Sequence, residues 1–195
     1  NDIIIDGGNS YWKETQLRSE KLANSGIHYL DCGTSGGVWG LKNGYCLMYG
    51  GDKNAADFVE PIFKTLAPEN GDVYCGQSGT GHLVKMVHNG IEYGMMQAIA
   101  EGMEVLNKYD ANVDLAAVSK VWNHGSVVRS WLMELTQRAL ENDRNLESIK
   151  GIMHSSGEGK WTVETALEMG VPTPVITMSL LMRYRSQQED TFSGK

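Results

Sequence analysis

The stretch Gly81-His82-Leu83-Val84-Lys85-Met86-Val87-His88-Asn89-Gly90-Ile91-Glu92-Tyr93 decides the fold, because it opens a long helical pattern without proline. At about 100° per residue, one stripe roughly 100° wide would carry four polar side chains that can hold or move a proton: Lys85, His88, Asn89 and Glu92. The opposite flank would be small or apolar, with Val87, Gly90, Gly94 and Ala98. We therefore predict a helix that packs through this flank and lines a cleft with the stripe.

A polar stripe is most often only the solvated face of a surface helix, and the spacing alone favours that simpler interpretation. A solvated face, however, is typically built from repeated Lys and Glu pairs. This stripe combines single copies of Lys, His, Asn and Glu and lies beside two glycines. The mixture indicates a chemical site.

The composition excludes several classes of protein. The chain has 195 residues, of which 41% are hydrophobic and 21% charged, so it can bury a core in one or two domains. Its net charge of −7 argues against nucleic acid or an anionic membrane as a partner. No run approaches 18 apolar residues and no signal peptide opens the chain, so we expect a cytoplasmic protein with no membrane partner.

The cysteines and histidines give no sign of a metal. Cys32, Cys46 and Cys75 form no CxxC pair, and each falls in a strand-like segment. Such an odd set is typical of small buried thiols in a reducing compartment. The sequence has no HExxH motif, no clustered Cys/His ligands and no EF-hand loop, so we expect no metal ion.

Residues 1–76 follow the pattern of an α/β domain. The apolar run Asp2 to Asp6 ends in Gly-Gly, as a buried parallel strand does. One strand, helix, strand unit cannot cover both faces of a parallel sheet. We therefore expect the C-terminal part of a doubly wound, Rossmann-type domain, whose early strands and GxGxxG turn are absent from this sequence. Further strands are predicted over 27–32, 45–49 and 73–75, and helices over 13–24 and 53–66.

Residues 77–195 are expected to form an all-helical domain. Its central helix is predicted over 82–109, and shorter helices over 113–123, 127–142, 161–169 and 174–185. The junction before the central helix has the glycine spacing of a P-loop, but His82 and Leu83 stand where Lys and Ser or Thr are required. We therefore predict a helix N-cap there, supplied by Ser78 or Thr80.

Two segments after predicted strands could bind a ligand or simply form turns. The loop Gly33 to Gly40 has closely spaced glycines, which allow backbone N–H groups to converge on an anion, and Ser35 adds a hydroxyl. Asn9 follows the first strand, where ligands gather in open α/β sheets. An Asn after Gly-Gly is also a common turn residue.

Two cations near helix ends also have two explanations each. Lys160 stands at the expected start of a helix, where it opposes the helix dipole unless an anion is bound there. Arg183 ends an apolar helix, where the dipole alone favours it. Arg185 lies close enough in sequence to be mistaken for Arg183 in an alignment.

These motifs together resemble the decarboxylating 6-phosphogluconate dehydrogenases, members of the β-hydroxyacid dehydrogenase group. The resemblance covers almost the whole chain. Val38 and Trp39 replace an acidic pair of the longer members and indicate a shorter bacterial branch. The segments that carry the resemblance are Gly79 to Gln97, Asp6-Gly7-Gly8-Asn9-Ser10 and Ser35-Gly36-Gly37.

The resemblance implies oxidative decarboxylation of 6-phosphogluconate to ribulose 5-phosphate in the pentose phosphate pathway, with NADP or NAD as cofactor and a homodimer or tetramer. It implies that residues 77–195 form the substrate-binding and dimerisation domain, with Lys85 as the catalytic base and Glu92 as the acid. Asn9 would reach both the substrate and the nicotinamide. The other implied substrate ligands are Ser35, Gly36 and Gly37 at the carboxylate, His88 and Asn89 at the hydroxyls, and Tyr93, Lys160 and Arg183 at the phosphate.

Two other interpretations stay open. A dehydrogenase of an unphosphorylated β-hydroxyacid would keep Lys85 and Asn89 but would need no phosphate pocket, against which Lys160 and Arg183 argue. The chain on its own could also be a substrate-binding and oligomerisation module without turnover, because it contains no GxGxxG turn for the cofactor.

Overall fold

The structure, a computed structural model, describes residues 2–195, which form two compact units. The first unit reaches to Gly90 and includes Ser156–Pro172. The second comprises Ile91–Ser155 and Thr173–Lys195. The first unit extends past the boundary expected between residues 76 and 77, because the start of the long helix packs on the sheet and a later helix packs on that start.

The first unit is built on a four-stranded sheet. Its strands and helices are β1 (Ile3–Asp6), α1 (Trp12–Ala23), β2 (His28–Ser35), α2 (Gly40–Asn43), β3 (Cys46–Gly50), α3 (Lys53–Leu66) and β4 (Asp72–Gly76). The strand order is β1-β2-β3-β4, with parallel pairs at both ends. The α/β fold class predicted for this part of the chain is therefore confirmed.

The central pair of the sheet is antiparallel, with Cys32 of β2 opposite Tyr49 of β3. The expected strands do not specify this pairing. A parallel crossover needs about a dozen residues or more, and the connection from Ser35 to Cys46 is shorter than that. The connection holds the short 3-10 turn Gly37–Trp39 and helix α2, both missed because their glycines give no helical periodicity.

Helix α3 covers this sheet and has the bounds predicted for it. The Asp52 carboxylate caps it by accepting the N–H of Ala55 at 2.9 Å. Its buried face repeats every three or four residues and ends in Phe63, whose ring stacks on that of Tyr49 with centroids 4.2 Å apart. Leu30, which is fully buried, completes the centre of this core.

Helix α7 (Gly157–Glu168) belongs to the first unit although it comes late in the chain. The indole of Trp12 donates to the Thr165 hydroxyl at 3.3 Å, and Tyr11 stacks on Trp161 with centroids 5.1 Å apart. The helix begins four residues before the predicted start at Trp161. Two glycines in its first turn hid that start, because glycine is a poor helix former.

Helix α4 (Thr80–Lys108) is the predicted long helix, and it runs from the first unit into the second. The prediction about its apolar flank is half right. In the first unit Gly90 packs on Thr162, and in the second Gly94 packs on Val175. Val87 and Ala98 are exposed instead, so the packed surface is narrower than the predicted flank.

The second unit packs helices around the C-terminal part of α4. These are α5 (Leu115–Asn123), α6 (Trp131–Asn142) and α8 (Pro174–Ser186), followed by a 3-10 turn, Phe192–Gly194. Helix α6 starts later than predicted because the Ser130 hydroxyl caps it, accepting the N–H of Met133 at 3.1 Å. The core contains Met103, Leu115, Met133 and Leu140.

A cavity of about 610 Å³ opens in the second unit beside this core. Most of its wall is apolar, and polar groups such as Arg144 and Asn145 contribute the rest. None of the predicted site residues lines it.

The cysteines are free thiols in different surroundings. Burial raises the pKa of the Cys32 thiol to about 11, whereas Cys46 is exposed and Cys75 partly buried. The expectation that all three are buried is therefore wrong for Cys46. Across residues 2–195 no three His, Cys, Asp or Glu side chains are grouped to hold a metal ion, and no helix in that range is long and apolar enough to cross a bilayer.

Candidate active site

Lys85 is the centre of a polar cluster in the first unit. It is only 4% exposed, and its amine donates to the side-chain oxygen of Asn89. The amine also lies 3.5 Å from Nδ1 of His88, which is itself 3.0 Å from the Asn89 oxygen. The structure thus brings three residues of the predicted stripe together around one buried amine.

Glycines bring the start of α4 onto the sheet beneath this cluster. A Cβ on Gly33 would lie 2.3 Å from Cβ of Lys85, and one on Gly50 would lie 2.4 Å from the Thr80 hydroxyl. Such distances are far too short for real side chains, so each position admits only glycine. The close approach places the first carbons of the Lys85 side chain and the Gly81 carbonyl against Gly33 of strand β2.

The loop after β2 also reaches this cluster. The Ser35 hydroxyl lies 3.4 Å from Nε2 of His88. Gly36 and Gly37 both have positive φ, at 126° and 51°, which explains the pair of glycines in sequence. The structure therefore joins the predicted Ser-Gly-Gly loop to the predicted helix stripe.

The Asn9 side chain links the turn after β1 to the end of β2 through two hydrogen bonds. Its amide nitrogen donates to the Thr34 carbonyl at 3.2 Å, and its oxygen accepts the Thr34 N–H at 3.0 Å. Asn9 is thus a turn residue and also lies next to the Ser35 loop. An amide keeps further hydrogen-bonding capacity after these two bonds.

The start of α4 is not capped as predicted. The Thr80 hydroxyl donates to the Gln77 carbonyl, and the buried Ser78 hydroxyl has no hydrogen-bond partner. The carboxylate of Asp31, in β2, accepts the N–H groups of Gly79 and His82 at 2.7 and 2.9 Å. The local-cap prediction is therefore wrong, because a cap that comes from 48 to 51 residues away leaves no local signal.

Lys160 lies in the first turn of α7, as predicted, but its environment is open. The side chain is exposed and its amine pairs with Glu164, one turn later, at 3.4 Å. This i, i+4 pair offsets the unfavourable position near the helix N-terminus without a bound anion. The sequence argument for an anion at Lys160 is weakened accordingly.

The second unit holds the other predicted phosphate ligands. Arg183 is 8% exposed, and Cζ of its guanidinium lies 3.5 Å from the ring centroid of Tyr93. Nη1 donates to the His154 carbonyl at 2.6 Å. Arg185 is exposed and donates to the Gln188 carbonyl, so the two arginines are clearly distinct in structure.

Glu92, the predicted acid, is a partly buried residue of α4 that is assigned to the second unit. It follows Lys85 by seven residues in the same continuous helix. Its catalytic role stays a prediction, as do the substrate contacts of the other candidate residues.

Known families match both parts of this chain. Residues 1–77 match the NAD binding domain of 6-phosphogluconate dehydrogenase, so the α/β part belongs to the class of NAD-binding domains. Residues 81–192 match the C-terminal domain of the same enzyme. The chain therefore belongs to the 6-phosphogluconate dehydrogenase family.

Individual relatives agree with this family. YqeC of Bacillus subtilis, provisionally named a 6-phosphogluconate dehydrogenase, is 59% identical over 194 residues, which cover 100% of this chain and 65% of YqeC. The NAD(+)-dependent, decarboxylating 6-phosphogluconate dehydrogenase of Haloferax volcanii is 44% identical, with 100% and 64% covered. The chain thus spans about two-thirds of the length of these relatives.

Solved structures share the fold. The 6-phosphogluconate dehydrogenase of Plasmodium falciparum, solved apo and in complex with NADP+ and with 6-phosphogluconate, is 36% identical with a TM-score of 0.86. The match covers 95% of this chain and 42% of that one. A 3-hydroxyisobutyrate dehydrogenase from Salmonella typhimurium, at 18% identity and a TM-score of 0.75 over 94% of this chain and 63% of its own, shows the fold alone.

Proposed function

We propose that the protein oxidises and decarboxylates 6-phosphogluconate to ribulose 5-phosphate, with NAD or NADP as hydride acceptor. The observation that carries this proposal is the buried Lys85 amine, held by Asn89 and His88 beside the Ser35 loop. Membership of the family supports the same reaction. The pathway would be the pentose phosphate pathway.

Lys85 acts as the base in this proposal. A lysine accepts a proton only as a neutral amine, and burial disfavours its charged form. Lys85 would take the proton of the C3 hydroxyl while hydride leaves C3. Its ammonium form would then polarise the new ketone at C3. The C1 carboxylate, which is β to that ketone, would then be lost as carbon dioxide.

The other residues of the first unit would orient the sugar acid. His88 and Asn89 already contact the Lys85 amine, so a hydroxyl bound there would meet the base directly. Ser35, Gly36 and Gly37 would bind the carboxylate through the hydroxyl and the backbone of a loop with two left-handed glycines. Glu92 would protonate carbon after carbon dioxide leaves.

The phosphate would be bound by Arg183 and Tyr93, which are stacked on each other in the second unit. Arginine suits this role because its planar donors match phosphate oxygens. Lys160 is a weaker candidate, because its amine already pairs with an exposed carboxylate. It would contribute charge rather than a fixed hydrogen bond.

The residues at the end of β1 fit the nicotinamide end of a dinucleotide. A Cβ on Gly7 would meet no atom within 4 Å, so the turn leaves open space beside Asn9. When bound, the nicotinamide accepts the hydride from C3. Asn9 would bind at the nicotinamide end of the cofactor, while its two hydrogen bonds to Thr34 hold the turn after β1 beside the Ser35 loop.

The test compares substrates in the full-length enzyme. Nicotinamide reduction and carbon dioxide release are followed with 6-phosphogluconate and with gluconate, which lacks the phosphate. We expect equal amounts of carbon dioxide and reduced nucleotide, and a kcat/KM for gluconate lower by more than about 10²-fold. Reduction without carbon dioxide, or similar kcat/KM values for both acids, would contradict the proposal and favour an unphosphorylated β-hydroxyacid.

A further inference from the structure

Asp31 is a fully buried carboxylate that the reaction proposed above does not use. It lies in β2, and both of its oxygens accept backbone N–H groups at the start of α4. The donors are Gly79, at 2.7 Å, and His82, at 2.9 Å. A negative charge at this end of a helix is stabilised by the helix dipole as well as by the hydrogen bonds.

The position of this cap distinguishes it from an ordinary one. A local Ser or Thr cap would satisfy the same N–H groups without attaching the helix to anything else. Ser78 and Thr80 are both available in sequence, yet neither hydroxyl accepts these N–H groups. The cap instead comes from a strand, so it fixes where the helix lies on the sheet.

Strand β2 contacts α4 at three successive points. Alternate residues of a strand share one face, so Asp31, Gly33 and Ser35 all point the same way. Along that face, Asp31 binds the His82 N–H, Gly33 makes room for Cβ and Cγ of Lys85, and Ser35 reaches His88. Each step of two residues on the strand thus corresponds to three residues on the helix.

The glycines make the contact at Asp31 tight. A Cβ on Gly81 would lie 2.9 Å from Oδ2 of Asp31 and 2.5 Å from the Met48 carbonyl oxygen. The first turn of α4 therefore cannot move towards the strand, and the two hydrogen bonds oppose its moving away. Lys85 lies about one turn later in the same helix, so its position depends on where this first turn is held.

We propose that Asp31 is a positioning residue: it anchors the first turn of α4 on β2 so that the Lys85 amine meets His88, Asn89 and the Ser35 loop. This inference rests on the proposed function, in which Lys85 is the base. Asp31 acts through the helix and does not itself touch the substrate. A shift of about 1 Å in the base would be enough to lower the rate about 10²-fold.

The test replaces Asp31 by Asn in the full-length enzyme. Asparagine keeps the shape and one acceptor, but it removes the charge and places an amide N–H₂ against a backbone donor. We expect kcat to fall about 10- to 100-fold while the dissociation constant for 6-phosphogluconate stays within about two-fold. Asp52→Asn is the matched control, because Asp52 caps α3 in the same unit and is far more exposed.

A second measurement does not need turnover. Amine labelling of Lys85 in the protein without ligands, quantified by mass spectrometry, should become several-fold faster in Asp31→Asn and remain unchanged in Asp52→Asn. If the wild-type protein does not turn over 6-phosphogluconate, the proposed function fails, and the labelling rates alone then decide the inference about Asp31.

Three outcomes would overturn the inference. They are a kcat of Asp31→Asn within two-fold of the wild-type value, labelling of Lys85 at the wild-type rate, and an equal loss of kcat in Asp52→Asn. A variant Asp31→Asn that does not fold would also overturn it, since Asp31 would then act in stability alone.

Discussion

The guanidinium of Arg183 lies over the ring of Tyr93, with Cζ 3.5 Å from the ring centroid. The His154 carbonyl accepts from Nη1 at 2.6 Å, so ring and carbonyl together hold the guanidinium in one orientation. An arginine ordered in advance loses less entropy when its other donors bind an anion. This arrangement favours Arg183 over Arg185 as the phosphate ligand.

Replacing Arg183 by Lys should therefore weaken substrate binding. Lysine keeps the charge but has no planar fork with which to stack on Tyr93 and bind a phosphate oxygen at the same time. We expect the dissociation constant for 6-phosphogluconate, measured by calorimetry, to rise about ten-fold, or about 1.4 kcal/mol. Arg185→Lys is the control, and an equal effect of the two changes would remove Arg183 from the phosphate site.

Replacing Lys85 by Ala should abolish most turnover and leave substrate binding nearly intact. A general base contributes about 10²- to 10⁴-fold to a rate, so kcat should fall by at least that factor. Lys53→Ala serves as control, because Lys53 is exposed and its amine pairs with Asp57 and lies over the ring of Tyr74. A kcat near the wild-type value would show that another residue is the base.

Replacing Glu92 by Gln tests the proton donor of the last step. The amide keeps the size of the side chain but cannot deliver a proton to carbon. We expect ribulose 5-phosphate formation, followed by product analysis, to slow more than about 10²-fold, whereas Tyr93→Phe should change mainly the KM. An unaffected rate for Glu92→Gln would assign the acid elsewhere.

Replacing Gly33 by Ala should destabilise the first unit. The new methyl group would lie 2.3 Å from Cβ of Lys85 and 2.8 Å from the Gly81 carbonyl, so either strand or helix must move. We expect a loss of about 1–3 kcal/mol in the free energy of unfolding, measured in urea. Gly102→Ala in α4, where the methyl meets nothing within 4 Å, should instead add about 0.5–1 kcal/mol.

The acid stability of the protein should depend on Tyr29. Burial opposes ionisation of Asp6, but the hydrogen bond from Tyr29 and those from Gly8 and Ser10, together with the charge of His82, leave its pKa below the usual 3.8. The Asp6 carboxylate therefore stabilises the fold above its unfolded pKa, and this contribution is lost as the pH falls through the lower, folded value.

Tyr29→Phe removes the donor and so raises the folded pKa of Asp6 towards its unfolded value. We expect the midpoint of acid unfolding, followed by circular dichroism, to move to higher pH. Tyr49→Phe is the control, because the Tyr49 hydroxyl is 3.5 Å from Asp72 and thus at the limit of a hydrogen bond. Equal midpoints for the two variants would contradict this account.

Local patterns were enough to predict most of the elements. Helix α3 has its predicted bounds, and α4 differs from its prediction by two residues at the start and one at the end. Both have a clear apolar period over many residues, which is the strongest signal in a single sequence. The start of α7 was missed, since its glycines mask the period.

The candidate site was predictable only where its members are neighbours in sequence. Lys85, His88 and Asn89 share one helix, so their cluster follows from helical spacing alone. The cap from Asp31 and the bonds from Asn9 to Thr34 depend on how distant segments meet, which spacing does not encode. The pair between Lys160 and Glu164 also follows from helical spacing, and it gives the position of Lys160 a second explanation, while phosphate binding by Lys160 stays a prediction.

The hydrogen bond from Trp12 to Thr165 joins residues 153 positions apart. During synthesis at about 5–20 residues per second, roughly 8 to 30 s separate these two residues on the ribosome. Helix α1 therefore forms without this contact to α7 until Thr165 has been translated.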